Sequence, residues 1–168
     1  YMKKTIAIYP GSFNKAHVGH LNILEKAERI FGKGNVILSR GVNPDKLEKE
    51  TEEQKIERIN KIKKYLSELQ ERIGRQVDFY DCFLHEYIKS YEDKGYNVVV
   101  IRGLRNGDDL NYEINQLKYI KTFNKRSGYT SDLNVIFINC DDEFEHISSS
   151  GLRKVEEFGG SHLIQEYI

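Results

Sequence analysis

Tyr9-Pro-Gly-Ser-Phe-Asn-Lys-Ala-His-Val-Gly-His20 is a turn held between two regular elements. The run before it, Thr5-Ile-Ala-Ile8, reads as a short buried strand. The segment after it, Leu21-Asn-Ile-Leu-Glu-Lys-Ala-Glu-Arg-Ile-Phe31, repeats apolar residues at helical spacing. A strand that turns into a helix presents free backbone N–H groups where the helix dipole favours negative charge. Gly11 is expected to let the backbone approach a ligand with no Cβ in the way. Ser12 adds a hydroxyl, and His17 and His20, three apart, share one face of the first helical turn. A phosphate bound here meets amides, a hydroxyl and two imidazoles. Gly and Ser also serve turns for geometry alone, so it is the paired histidines that favour an anion site. Their spacing differs from the i, i+4 of HExxH zinc helices, and no cysteine is near, so metal ligation by the pair is not expected.

Outward from this turn the chain alternates. Residues 4–9 read as strand one and residues 18–31 as helix one, stopped by Gly32 and Gly34. Residues 35–40 form strand two, followed by a loop over residues 41–46 with Asn43-Pro44 as its turn chemistry. Residues 47–74 are a long charged helix whose Ile56, Ile59, Ile62, Leu66 and Leu69 make a narrow apolar stripe, with Thr51-Glu-Glu-Gln54 as a capping box. Strand three is residues 77–80, and a helix spans residues 83–91 and ends before Gly95. Asn97-Val-Val-Val-Ile101 is the clearest buried strand, with Arg102-Gly-Leu-Arg105 directly after it. An amphipathic helix over residues 108–123, a loop over residues 124–131, a fifth strand over residues 133–138 and a last helix opening at Ile147-Ser-Ser-Ser150 complete the chain. The pattern predicts an α/β fold: a single Rossmann-like domain, residues 1–168, with a five-stranded parallel sheet covered by helices on both faces. In such sheets ligands bind beyond the carboxyl ends of the strands. The loops after strands one, two, four and five then converge, bringing together His17, His20, Lys46, Arg102, Arg105 and Ser148, Ser149 and Ser150.

Two further clusters suit phosphate. Guanidinium forks donate two bonds at once, which fits Arg102 and Arg105 to a phosphate. Asp108, Asp109 and Glu113 are also at hand as partners, and an acid that orients an arginine leaves it able to bind an anion. One serine caps a helix, but three in a row exceed that need. Hydroxyls and amides at a helix start suit a polyphosphate, and Arg153 follows one turn later.

The totals exclude several classes. Lys+Arg and Asp+Glu are both 26, so the chain lacks the basic excess of a general nucleic-acid binder. It contains no apolar run of about 18 residues to span a membrane, and no signal peptide is visible, so a cytoplasmic location is expected. Cys82 and Cys140 follow no metal spacing and are expected as reduced thiols near the core.

On these residues the chain resembles the nucleotidylyltransferase superfamily, with its HxGH and ISSSxxR signatures, and most of all its bacterial phosphopantetheine adenylyltransferase branch. The matching pieces are AIYPGSF at 7–13, GH at 19–20, NPDK at 43–46, VIRGLR at 100–105, the spacing of Asp109, Tyr112 and Glu113, and ISSSGLR at 147–153. The resemblance implies transfer of AMP from ATP to 4′-phosphopantetheine, giving dephospho-coenzyme A and pyrophosphate, with Mg2+ carried by the triphosphate. A phosphate monoester, with a second pKa near 6, is mostly dianionic at neutral pH, so no general base is demanded. The implied catalytic residues are His20, His17, Lys46 and Arg102. Gly11, Ser12, Phe13, His20, Arg105, Glu113, Phe144, Ser148, Ser149, Ser150 and Arg153 would hold ATP. Ser12, Lys46, Phe83, Leu84 and Arg102 would hold the acceptor. No protein side chain is implied as a metal ligand. A homo-oligomer, typically a hexamer, is implied as well.

The chain also departs from that branch. Asn14-Lys15 stands where Asp-Pro is common, His17 where Thr is usual, and Tyr119-Ile120 where a Met-Asn pair faces the pantetheine arm. The departures leave nicotinamide mononucleotide or another small phosphorylated acceptor open, and beside them a non-catalytic nucleotide-binding relative.

Overall fold

The apolar runs pair side by side because most are covered on both faces, so their backbone groups must find partners in one another. The computed structural model describes residues 2–13, 15–41, 49–126, 128 and 133–164. Among these, β1 (Thr5–Gly11), β2 (Val36–Arg40), β3 (Val77–Phe79), β4 (Asn97–Leu104) and β5 (Asn134–Asn139) form one parallel sheet in the order β3-β2-β1-β4-β5. The helices are α1 (Val18–Phe31), α2 (Glu52–Ile73), α3 (Leu84–Glu92), α4 (Gly107–Arg126) and α5 (Ser149–Glu157). This is the expected Rossmann-like α/β fold. No helix among the described residues is long and apolar enough to cross a membrane.

One face of the sheet, with Ala7, Leu38, Ile101 and Ile138, packs on Ile23, Leu24 and Ala27 of α1 and Leu66 and Leu69 of α2. The other face, with Ile6, Ile8, Val98 and Val100, packs on Tyr87 and Ile88 of α3. Ile147, Leu152 and Ile164 seat α5 in a smaller cluster. β1 pairs with β4 from Thr5↔Asn97 only to Ile8↔Val100, but runs beside β2 as far as Gly11↔Arg40. β4 likewise follows β5 as far as Leu104↔Asn139. The carboxyl ends of β1 and β4 therefore part where the strand order reverses, and a crevice opens at that point.

Several elements differ from expectation. β1 runs on through Pro10 and Gly11, and β4 through Arg102, Gly103 and Leu104, because β2 and β5 remain available to pair with them. Strand alternation then sends Arg102 to the α3 face, with Val98 and Val100. The stripe of α2 is buried only at Leu66 and Leu69, while Ile56 is exposed. α4 buries Asn124 and leaves Tyr112, Tyr119 and Phe123 exposed. Cys140 is buried as expected, but Cys82, on the turn after β3, is exposed. The capping box at Thr51 and Gln54 is formed.

A reciprocal clamp joins α1 to the end of β5. The Asn22 amide donates to Asp141 Oδ2 at 2.9 Å, and its oxygen accepts from the Asp141 backbone N–H at 2.8 Å. Lys26 adds an ion pair to Asp141 at 2.7 Å and a bond to the Asn139 carbonyl at 2.6 Å. Asn22 is buried, so removing its side chain deprives two partners at once. Asn22→Ala is expected to lower unfolding free energy by about 2 kcal/mol, read from urea denaturation. A change below about 0.5 kcal/mol would show that the clamp contributes little.

Candidate active site

The first turn of α1 is capped by its own two histidines. His17 Nδ1 accepts from the Gly19 backbone N–H at 3.1 Å, and His20 Nδ1 accepts from the His17 backbone N–H at 3.2 Å. An Nδ1 that accepts carries no proton, so each neutral ring bears its hydrogen on Nε2. The rings stack at 3.9 Å and 26°. Gly19 is required here because a Cβ would lie 2.9 Å from the His17 ring. The space beside Gly11 is taken by the Phe13 ring, 2.9 Å from where a Cβ would stand, rather than kept open for a ligand. Phe13 itself has φ 43°, a left-handed conformation that is strained for an aromatic residue. It is buried edge-on between Tyr9 and His20, at 5.3 and 5.1 Å.

Both arginines of the RGLR segment have acidic partners. Arg105 donates from Nε and a terminal nitrogen to the two oxygens of Asp109, at 3.0 and 3.1 Å, and its backbone N–H adds a third bond at 2.9 Å. This draws the Asp109 carboxyl below the ordinary carboxylate range. Arg102 lies 3.4 Å from Glu113, yet its buried Nε lacks the alignment of a hydrogen bond. Gly103 between them admits α1, since a Cβ would meet Ile23 at 3.0 Å.

The three serines divide their work. Ser148 Oγ caps α5 by accepting from the Gly151 N–H at 3.0 Å. Ser149 Oγ donates to the Lys15 carbonyl at 2.8 Å, and Lys15 Nζ pairs with Glu156 of α5 at 2.5 Å. Ser150 Oγ contacts the Ser148 hydroxyl at 3.4 Å and is exposed. Lys15 thus ties the histidine turn to the serine helix.

Gly11, Ser12, Phe13, His17, His20, Arg102, Arg105, Glu113, Phe144, Ser148, Ser149, Ser150 and Arg153 all line one cavity of about 570 Å³ at the crevice. Phe83 and Leu84 do not line it: Phe83 precedes α3 and is 60% exposed, and Leu84 packs beneath the α3 face. Lys46 and the rest of residues 42–48 lie outside the described residues, as does Asn14. Tyr112 also lines the cavity, and its signal in the sequence was the Asp109, Tyr112, Glu113 spacing of the family resemblance.

Burial, and then the Arg105 charge, lower the His17 pKa from 6.5 to about 4. Burial, His17 and Arg105 together lower His20 to about 3. Below pH 6.5 the unfolded chain therefore binds protons that the folded one refuses. This part of the stability is complete above pH 6.5 and is lost as pH falls toward 4. Urea midpoints should decline between pH 6.5 and about 5, above the carboxylate range. His17→Thr, which keeps a capping hydroxyl, should make that decline about half as steep. An unchanged slope would mean that His17 contributes nothing to the decline.

Residues 8–155 match the family model described as cytidylyltransferase-like. A phosphopantetheine adenylyltransferase of Crocosphaera subtropica is 33% identical over 165 residues, covering 97% of this chain and 94% of the relative. Those of Clostridium novyi and Clostridium botulinum are 31% and 30% identical over 155 residues, covering 92% of this chain and 85% and 86% of theirs. The chain that builds this cavity therefore belongs to the cytidylyltransferase-like family, among its phosphopantetheine adenylyltransferases.

Proposed function

We propose that the protein transfers the AMP moiety of MgATP to 4′-phosphopantetheine in coenzyme A biosynthesis. An oxygen of the acceptor phosphate attacks the α-phosphorus. The bond to the β-phosphate breaks, and its electron pair leaves with pyrophosphate. The observation that carries this reading is the stacked histidine pair, neutral and with both Nε2–H groups available, in one cavity with two arginines and the serine-rich start of α5. The names of the relatives support the choice of acceptor.

His20 Nε2–H donates to an α-phosphate oxygen as charge builds there, and His17 assists at the neighbouring phosphates. Arg105, Arg153, Ser150 and the first amides of α5 hold the triphosphate, with Ser148 and Ser149 fixing that helix start and Phe144 close to the nucleotide. Ser12, Lys46 and Arg102 grip the acceptor phosphate, and Glu113 orients Arg102. Among the described residues no three His, Cys, Asp or Glu side chains converge to hold a metal ion. In this reading magnesium enters as part of the substrate, carried by the triphosphate. The same reading takes the active form as a cytoplasmic homo-oligomer, a hexamer in keeping with the family.

His20→Ala should lower kcat at least ~100-fold while the Kd for ATP changes less than about threefold, because the contact strengthens only in the transition state. Parallel loss of binding and rate would remove that role. Pyrophosphate release, measured with ATP and magnesium against 4′-phosphopantetheine, nicotinamide mononucleotide and no acceptor, tests the substrate. Release with phosphopantetheine alone is expected. Release with the mononucleotide alone would transfer the assignment to that acceptor, and silence with both while ATP still binds would contradict the catalytic reading.

A further inference from the structure

A tyrosine outside the expected site stands at the same end of the sheet with a hydroxyl that no described residue hydrogen-bonds. Tyr80 follows β3 directly, and its backbone N–H still donates to the Arg40 carbonyl at 3.0 Å, so it continues the strand's alternation. Phe79 packs with the α1 and α2 side, and Tyr80 with the α3 side, the face to which β4 sends Arg102. The Tyr80 ring lies flat on Tyr87, 4.4 Å between centroids and 6° between planes.

That platform is itself fixed. The Tyr87 hydroxyl donates to Asp78 Oδ2 at 3.1 Å, so at its 2.9 Å contact with the fully buried Ser39 the serine is the donor. Tyr91 donates to the same Asp78 oxygen at 2.7 Å. A ring stacked on a side chain held in this way has little freedom to turn away.

The Tyr80 hydroxyl reaches over Gly41 at the carboxyl end of β2, where a Cβ would stand 2.7 Å from the oxygen. Gly41 in turn donates to the Gly11 carbonyl at 3.2 Å, at the end of β1. No described residue hydrogen-bonds this hydroxyl. Burial raises its pKa to about 12 despite the opposing charge of Arg102, so it remains a donor at every working pH. An O–H donor held rigid, without an acceptor among the described residues and within electrostatic reach of an arginine, suits an anionic group of a ligand.

We propose that Tyr80 is a further acceptor-binding residue, its hydroxyl donating a hydrogen bond to the phosphate-bearing end of the acceptor beside Arg102. This rests on the proposed adenylyl transfer to a phosphorylated acceptor. If Tyr80 served packing alone, phenylalanine would replace it without loss, because the stack needs only the ring.

The test is Tyr80→Phe, with isothermal titration of 4′-phosphopantetheine, nicotinamide mononucleotide, unphosphorylated pantetheine and ATP into wild type and variant. The phosphorylated compound that supports pyrophosphate release in the wild type serves as the acceptor, so its identity and the role of Tyr80 are judged separately. The variant should bind that acceptor roughly 5–10-fold more weakly, and its affinities for ATP and pantetheine should change less than about twofold. Equal acceptor affinity in both proteins would overturn the proposal. So would an equal loss for the phosphorylated and unphosphorylated compounds, which would locate the effect away from the phosphate. If the wild type binds neither phosphorylated compound, both the proposal and the functional reading on which it rests are overturned.

Discussion

The start of α1 depends on the two imidazoles staying neutral. Each Nδ1 accepts a backbone N–H of the first turn, so each ring completes the helix and at the same time keeps its hydrogen on Nε2. Protonation would put a hydrogen on Nδ1, directly against the amide it now accepts from. The cap and the Nε2–H donor are thus set by one protonation state. The surroundings enforce that state through burial, through the nearby Arg105 charge and through the stacking of one ring on the other. Gly19 leaves room for the His17 ring, and the strained Phe13 backs the His20 ring.

From that turn, α1 acts as a beam between the end of β5 and α5. Asn22 and Lys26 hold the chain beyond β5, and Lys15 holds α5 by an ion pair and by its own carbonyl. A half-exposed ion pair is worth little alone, so the strength of this bracket lies in the hydrogen bonds made by buried or backbone groups. The opposite side of the crevice is built differently. Arg102 and Tyr80 are on the α3 face because strand alternation sends them there; Tyr80 rests on the Tyr87 ring, and Arg102 pairs with Glu113 of α4.

The strand-turn-helix pattern made the fold legible, because buried parallel strands must be apolar throughout and α1 must show one apolar stripe. The convergence of His17, His20, Arg102, Arg105 and the serines followed from the rule that loops at the carboxyl ends of parallel strands meet. What each residue does locally was harder to read. Ser149 gives its hydroxyl to a carbonyl far away in sequence, and Gly11 accommodates a ring two residues on, and neither contact has a periodic signal. Lys15 broke a family pattern, and its partner Glu156 could be found only once α5 was packed. For Phe83 and Leu84, position in the chain fixes which strand they follow but not which way the start of α3 turns them. Tyr80 gave no signal, because a tyrosine at a strand end is common and its isolation shows only in three dimensions.

The charge state of the cavity also limits what can react in it. Among its described lining residues the carboxylates are Asp109 and Glu113, and each faces an arginine. Cys140 and Tyr9 are pushed toward their protonated forms by burial. The histidines, with Nδ1 occupied and pKa values of about 4 and 3, are poor proton acceptors at neutral pH. A hydroxyl nucleophile entering this site would find no ready base among the described lining residues to ionise it. A phosphate monoester, with its second pKa near 6, arrives already dianionic and needs only to be held in line and shielded from the charge it approaches. The protonation states of the cavity therefore favour phosphate over alcohol as the attacking group, on grounds independent of the relatives. They also assign the rate to alignment and charge neutralisation, for which a fixed array of N–H and guanidinium donors is suited.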